Sequence, residues 1–205
     1  MKAVFAASLI VLLAAVEVTA AADEAHRSHR FDTSEIEQLH IDYRAGELML
    51  AHADGDEIEV ELRIEPKNDR AEKAHLEEMN LASRHRGDRL TLSFEERNVT
   101  SVMIVRLPRL KRLTIDMGAG DLQGTLPPIA AEIRLGAGDV DLDLDRSATG
   151  RIDLKARVGD TSIRGVQNVE TKRAWVVGSA SSAVGEGAVP VEAKVRVGDV
   201  RVTLR

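Results

Sequence analysis

Much of the chain alternates apolar and polar positions in short runs. Ile115, Met117 and Ala119 occupy every second place, as do Ile133, Leu135 and Ala137, then Leu154, Ala156 and Val158, and later Val195 and Val197. A period of two marks a strand with one buried face. Each run stops at a glycine followed by a short polar residue: Gly120-Asp121, Gly138-Asp139, Gly159-Asp160, Gly178-Ser179 and Gly198-Asp199. Beyond it the alternation resumes in the opposite parity, at Leu122 and Leu126, at Val140, Leu142 and Leu144, and at Val200, Val202 and Leu204. Such a switch is expected where the chain turns a corner and keeps its apolar side on one core. An earlier segment does the same around Gly46, from Ile41, Tyr43 and Ala45 to Leu48 and Leu50. The candidate corner residues are therefore Gly46, Gly120, Gly138, Gly159, Gly178 and Gly198. Glycine accepts backbone angles that other residues resist.

The later glycines recur at steps of 18, 21, 19 and 20 residues, a near-constant period that marks stacked repeats. In register, Ala119, Ala137, Val158, Val177 and Val197 form one expected inward column, and Leu122, Val140, Thr161, Ala180 and Val200 another. A single coil cannot bury its apolar face, whereas stacked coils share a continuous core. The expected fold is all-β: a single-stranded parallel β-helix or solenoid with coils of about 20 residues, regular over 110–205. An antiparallel sandwich or barrel is the alternative, and it calls for turn signals every 8–12 residues or so. Residues 38–109 are less regular, with strands expected at 38–50, 57–65, 89–95 and 101–107. Asp69–Met79 reads as a short helix or a charged loop. These are the irregular first coils of one domain over 38–205.

The beginning of the chain reads differently. Lys2, an apolar run from Ala3 to Val16 and the small residues Ala20, Ala21 and Ala22 fit a secretory signal peptide over 1–22. A retained membrane anchor is the alternative. The run is shorter than the roughly 20 apolar residues a spanning helix needs, and no later stretch could span once it is cleaved. Residues 23–37 read as a flexible lead-in. The expected location is periplasmic or secreted.

Composition narrows the classes. The 205 residues are 43% hydrophobic, too apolar for disorder. The absence of cysteine excludes disulfides, thiolate metal sites and a cysteine nucleophile. A formal net charge of −6 argues against nucleic acid as a partner. Only 2% of residues are aromatic, which suits a narrow core of stacked aliphatic side chains.

Val105-Arg106-Leu107-Pro108, then Leu113-Thr114-Ile115, then the Gly-Asp repeats resemble the bacterial "putative adhesin" family of β-solenoid domains, also called DUF4097. The likeness spans roughly 38–205 and lies in the order and spacing of the motifs. It implies an exported solenoid and brings no catalytic residues. The chain departs from the pattern in the fourth coil, at Arg173, Ser179, Gly185, Gly187 and Pro190.

Candidate chemistry is sparse. Asp121, Asp139, Asp160 and Asp199 share one place in their coils, with Asp141 and Asp143 nearby. Aligned carboxylates about 4.8 Å apart repel unless capped or bridged. They cap corners or, as weak candidates, hold a hard cation. Arg134, Lys155, Arg157, Lys194 and Arg196 stand on outward positions, either as solvated charge or as a seat for an anionic polymer. Arg86-Gly87-Asp88 spells an attachment tripeptide but fits a hairpin turn. The Asn98-Val99-Thr100 sequon matters only in a glycosylating host. His26 and His29 fall in the lead-in, and His40, His52, His75 and His85 are scattered. No nucleophile elbow, zinc-protease motif or phosphate loop is present, and Tyr43 and Trp175 take inward parity. The expectation is no enzyme and no cofactor. It is a binding or structural surface in the bacterial envelope, whose partner is an envelope protein or a cell-surface anionic polymer. The alternatives are a periplasmic accessory of an envelope-stress or signalling system and, third, a polysaccharide-active enzyme.

Overall fold

The computed structural model describes residues 24–67, 76–174 and 178–205. The expected signal peptide, most of the expected helix or loop at 69–79, Trp175 and Val177 lie outside the described residues. All regular structure among the described residues is β. The first six strands are β1 (Ala25–Asp32), β2 (Gln38–His52), β3 (Glu57–Pro66), β4 (Ala82–Arg86), β5 (Arg89–Phe94) and β6 (Val99–Leu107). Next come β7 (Arg112–Leu126), β8 (Ala130–Ala137), β9 (Val140–Leu144), β10 (Thr149–Val158) and β11 (Thr161–Arg164). The last are β12 (Glu170–Ala174), β13 (Gly178–Val184), β14 (Val189–Val197) and β15 (Val200–Leu204). The strands expected at 38–50, 57–65, 89–95 and 101–107 correspond to β2, β3, β5 and β6.

Four rungs share one plan, namely β2, β7, β8 with β9, and β14 with β15. Each has a first limb before its glycine and a second limb after it. A fifth, β10 with β11, repeats it. First limbs pair in the order β4, β5, β2, β7, β8, β14, β10, β13, β12. Second limbs pair in the order β1, β3, β6, β2, β7, β9, β15, β11. Neighbouring rungs run parallel, while β1, β3 and β4 at one end and β12 and β13 at the other are antiparallel to their neighbours.

This corrects the expected single-stranded parallel solenoid in two ways. The sheet is mixed, and the rungs do not stack in chain order: β14 and β15 lie between β8–β9 and β10–β11. The reason is topological. β13 runs antiparallel beside β10, with Val184 opposite Arg151, so it returns the chain to the start of β10. Gly185 and Gly187 donate their N–H groups to the carbonyls of Gly150 and Thr149 at 2.8 and 2.9 Å, tying the return loop there. With β13 on one side of β10, β14 takes the other.

The core fills from both limbs. Ile115, Ile133, Ala193 and Leu154 line up on the first limbs, and Leu122, Val140 and Val200 on the second, all at most 2% exposed. Burying each Val, Leu or Ile contributes about 1.5–3 kcal/mol. The expected inward column before the glycines does not hold. Ala137 is exposed, and Val158 and Val197 are 40% and 48% exposed. The burial series ends two residues earlier in each run, at Met117, Leu135, Ala156 and Val195.

Part of the expected lead-in is ordered as well. β1 pairs with β3 from Ala25↔Ile64 to Asp32↔Glu57, and it carries His26 and His29. Arg86-Gly87-Asp88 forms the β4–β5 hairpin turn, and the Asp88 carbonyl accepts N–H groups from Glu37 and Gln38 at 2.9 and 3.0 Å.

Candidate binding surface

The joint between limbs is built from glycine and aspartate. Gly46, Gly120, Gly138, Gly198 and Gly159 stack in that order. At Gly138 the backbone angle φ is +128°, and a Cβ there would stand 1.9 Å from the carbonyl oxygen of Gly120. Gly198 repeats this against Gly138, with φ +133° and the same 1.9 Å. Only a residue without a side chain fits, both for its backbone angle and for the close approach. Gly178 is not part of the ladder. It begins the antiparallel strand β13, and its neighbours are the carbonyls of Arg157 and Ala156.

The aspartates form a second ladder along the joint. Asp139 donates its N–H to Asp121 Oδ1 at 3.2 Å, Asp199 to Asp139 Oδ1 at 2.8 Å, and Asp160 to Asp199 Oδ1 at 2.9 Å. The carboxylates of Asp121, Asp139 and Asp199 thus each satisfy a backbone donor of the adjoining rung, as backbone groups at a joint require. Arg201 adds an ion pair to Asp199 at 2.9 Å, and Arg173 lies 3.5 Å from Asp160. Among the described residues, no group of three or more His, Asp or Glu is placed to hold a metal ion.

The outer face of the first limbs carries the rest of the polar chemistry. Alternate side chains on parallel neighbours fall into rows, one residue per rung, about 4.8 Å apart. One row is acidic: Glu132, Glu192 and Asp153 are direct register partners. The next row is basic: Arg134, Lys194 and Lys155. Arg196 and Arg157 follow two positions along. Near the β2 side, His40 Nε2 lies 3.0 Å from Asp116 Oδ2, and Arg134 donates to Asp116 Oδ1 at 3.1 Å and to Glu132. The hydrogen bond and charge of Asp116, followed by Glu132, hold the Arg134 guanidinium above its already high ordinary value.

An open depression of about 650 Å³ lies on this face. Gly118 and Gly136 form part of its lining, together with Arg44, Glu95, Asp116, Arg134 and Arg196. Ala45 and Ala119 also line it, so the row that continues to Ala137, Val197 and Val158 opens onto the same surface.

Tyr43 is fully buried. Its hydroxyl donates to the Ser101 carbonyl at 2.9 Å and lies 2.7 Å from Ser101 Oγ. Burial pushes its pKa up to about 12. It is therefore part of the core and offers no platform to a sugar ring. His40, His52 and His85 stay on separate elements, and His75 lies outside the described residues. The sequence reading missed the acidic row; the signal was present in the spacing of Glu132, Asp153 and Glu192, each two positions before a cation of the next row.

The fold has a known counterpart. A protein from Clostridium sporogenes described as a "putative cell adhesion protein" superposes with a TM-score of 0.60 at 12% identity, covering 89% of this chain and all of that one. A "putative adhesin" from Bacteroides fragilis matches at a TM-score of 0.31 and 10% identity over 86% of this chain and 96% of the other. Another from Parabacteroides distasonis matches at 0.30 and 10%, over 88% and 71%. No family model matches the chain, and neither does any curated protein. The chain is an all-β protein with the fold of the Clostridium protein. No helix among the described residues is long and apolar enough to cross a membrane.

Proposed function

We propose that this protein is a non-catalytic, adhesin-like binding module exported to the periplasm or beyond, whose parallel rungs form a short, interrupted solenoid. It contacts an extended partner through the outer face of its first limbs. The observation that carries this is the register on that face: outward residues of one kind recur on consecutive rungs, at one strand spacing. A repetitive ladder matches a partner that is itself extended. The adhesin description of the structural neighbour belongs to that protein and supports the reading only by analogy of fold. The buried Tyr43 and the absence of catalytic motifs support a non-catalytic role.

The chain has no cysteine, so single cysteines can be placed and labelled. Thr114→Cys puts a bulky maleimide label on the first-limb face, and Thr125→Cys puts it on the second limbs. Binding to isolated envelope polymer and to isolated envelope protein is then measured. Loss with the Thr114 label alone is the expected result, and capture only from the protein fraction would move the reading to the accessory-protein alternative. Equal loss with both labels, or no binding to either fraction, overturns it.

A further inference from the structure

We infer that the first-limb face holds a linear anionic polysaccharide, a chain with one carboxylate per sugar residue, on a cationic and apolar band formed by β10 and β14. This rests on the reading of that face as a binding surface.

Four cations occupy the band: Lys155 and Arg157 on β10, Lys194 and Arg196 on β14. Lys155 faces Lys194 across the parallel pair. Arg157 and Arg196 stand between the register pairs Ala156↔Val195 and Val158↔Val197. All four are exposed. Lys194 is paired with Glu192 at 2.5 Å. Among the described residues, the side chains of Lys155, Arg157 and Arg196 have no ion pair or hydrogen bond. Like charges directly opposite one another destabilise a sheet, and this chain carries a net charge of −6. Folding gains nothing from gathering cations here. An anion laid across them would relieve the repulsion.

The second observation is apolar. Val158 and Val197 are register partners, each one residue after an arginine of the band, and among the described residues they are two of the three large hydrophobic side chains left exposed. Cations next to exposed aliphatic groups match a sugar chain, which presents carboxylates and C–H faces together.

The borders of the band set its width. On one side run Glu132, Glu192 and Asp153; on the other run the joint residues Asp139, Asp199 and Asp160. These acids repel a broad polyanion and leave room for a single narrow chain. Nucleic acid fits less well, because single-strand binders stack bases on exposed aromatic rings, and neither β10 nor β14 carries an aromatic residue. The open depression at Arg196 and Arg134 extends the track toward β7 and β2.

The test uses the full-length protein and polygalacturonate, with dextran sulfate, neutral dextran and single-stranded oligothymidylate as comparison probes, read by affinity electrophoresis. Binding to polygalacturonate is expected. It should weaken at least about tenfold as salt rises toward 1 M, where the screening length falls to about 3 Å. Arg157→Ser with Arg196→Ser should weaken it at least tenfold, while Arg97→Ser with Arg109→Ser, which removes the same charge elsewhere, should leave it within twofold. Circular dichroism melting of both double variants checks that each is folded. Equal loss in the two double variants, tighter binding to dextran sulfate or the oligonucleotide, or no binding to polygalacturonate overturns the inference. If envelope binding sensitive to the Thr114 label persists in those cases, the reading of the face survives; if it too is absent, both fall.

Discussion

The rungs 130–144 and 149–164 have nearly the same local pattern, yet they sit in different surroundings. Both alternate apolar residues, reach a Gly-Asp pair and resume in the other parity. The first lies inside the row, with Leu122 on one side of Val140 and Val200 on the other. The second lies near the end. Thr161 has Val200 on one side, and on the other its hydroxyl is 3.0 Å from Ser179 Oγ and 2.7 Å from Ser181 Oγ. β11 pairs with β15 alone. The core thus passes from aliphatic in the middle to hydrogen-bonded hydroxyls at the edge. An interior rung gains apolar contact on both sides, whereas an end rung gains it on one. A buried hydroxyl is affordable only where partners exist.

The strongest way to break this contrast is to remove the inserted rung. A chain ending at Ala188 loses β14 and β15 from the interior of the sheet and uncovers Ile133, Val140 and Leu154 at once. We expect loss of the cooperative melting transition and an insoluble product. A truncated protein that still melts cooperatively near the full-length midpoint would mean that the rungs on either side are independent.

A second comparison sets an interior joint against a hairpin. Gly138→Ala combines a positive φ with a backbone clash and should cost roughly 2–4 kcal/mol. Gly87 has φ +61° but nothing within 4 Å of a Cβ, so Gly87→Ala should cost only about 1 kcal/mol. Denaturant unfolding of the pair measures the difference, and equal costs would show that crowding at the joint contributes nothing.

The hydroxyl cluster gives a finer test. Leu142→Ala, in the aliphatic interior, should cost about 2–5 kcal/mol. Thr161→Val should cost about 1–2 kcal/mol, because Ser179 and Ser181 lose a partner. The triple change Thr161→Val, Ser179→Ala and Ser181→Ala should return close to wild type, since no buried hydroxyl is left orphaned: Thr171, which also bonds Ser181 at 3.0 Å, is exposed and turns to water. A triple variant worse than the single one would place the stability of the end rung in its hydrogen bonds.

The smallest effect is expected at Ala137. The alternation alone puts this residue in the core, where aspartate would be ruinous. In the structure it is exposed, and Ala137→Asp should shift stability by no more than about 0.5 kcal/mol. A large loss would show that the joint buries this position in solution.

Much of the sheet was legible in the sequence. β2, β3, β5 and β6 fall on the expected runs because each has a clean apolar face. β1 was not legible because its face is hardly apolar. Ala25 is buried, but Arg27 follows it, and its guanidinium donates to the carbonyls of Leu76, Glu77 and Met79 at 3.0, 2.9 and 3.2 Å. The cations of the candidate site could be named from outward parity. Their arrangement could not, because Lys155 and Lys194 become neighbours only through the inserted rung.

By itself the sequence determined the strands that have a clean apolar face, the alternation that buries most of each limb and the joint glycines of the parallel rungs, because those depend on neighbours a few positions away. The order of the rungs was decided only in the tertiary structure. The same repeat can stack beside any other copy of itself. What selects the neighbour is the antiparallel return of β13, which carries the chain back to the start of β10 and leaves one aliphatic slot for the final rung to fill.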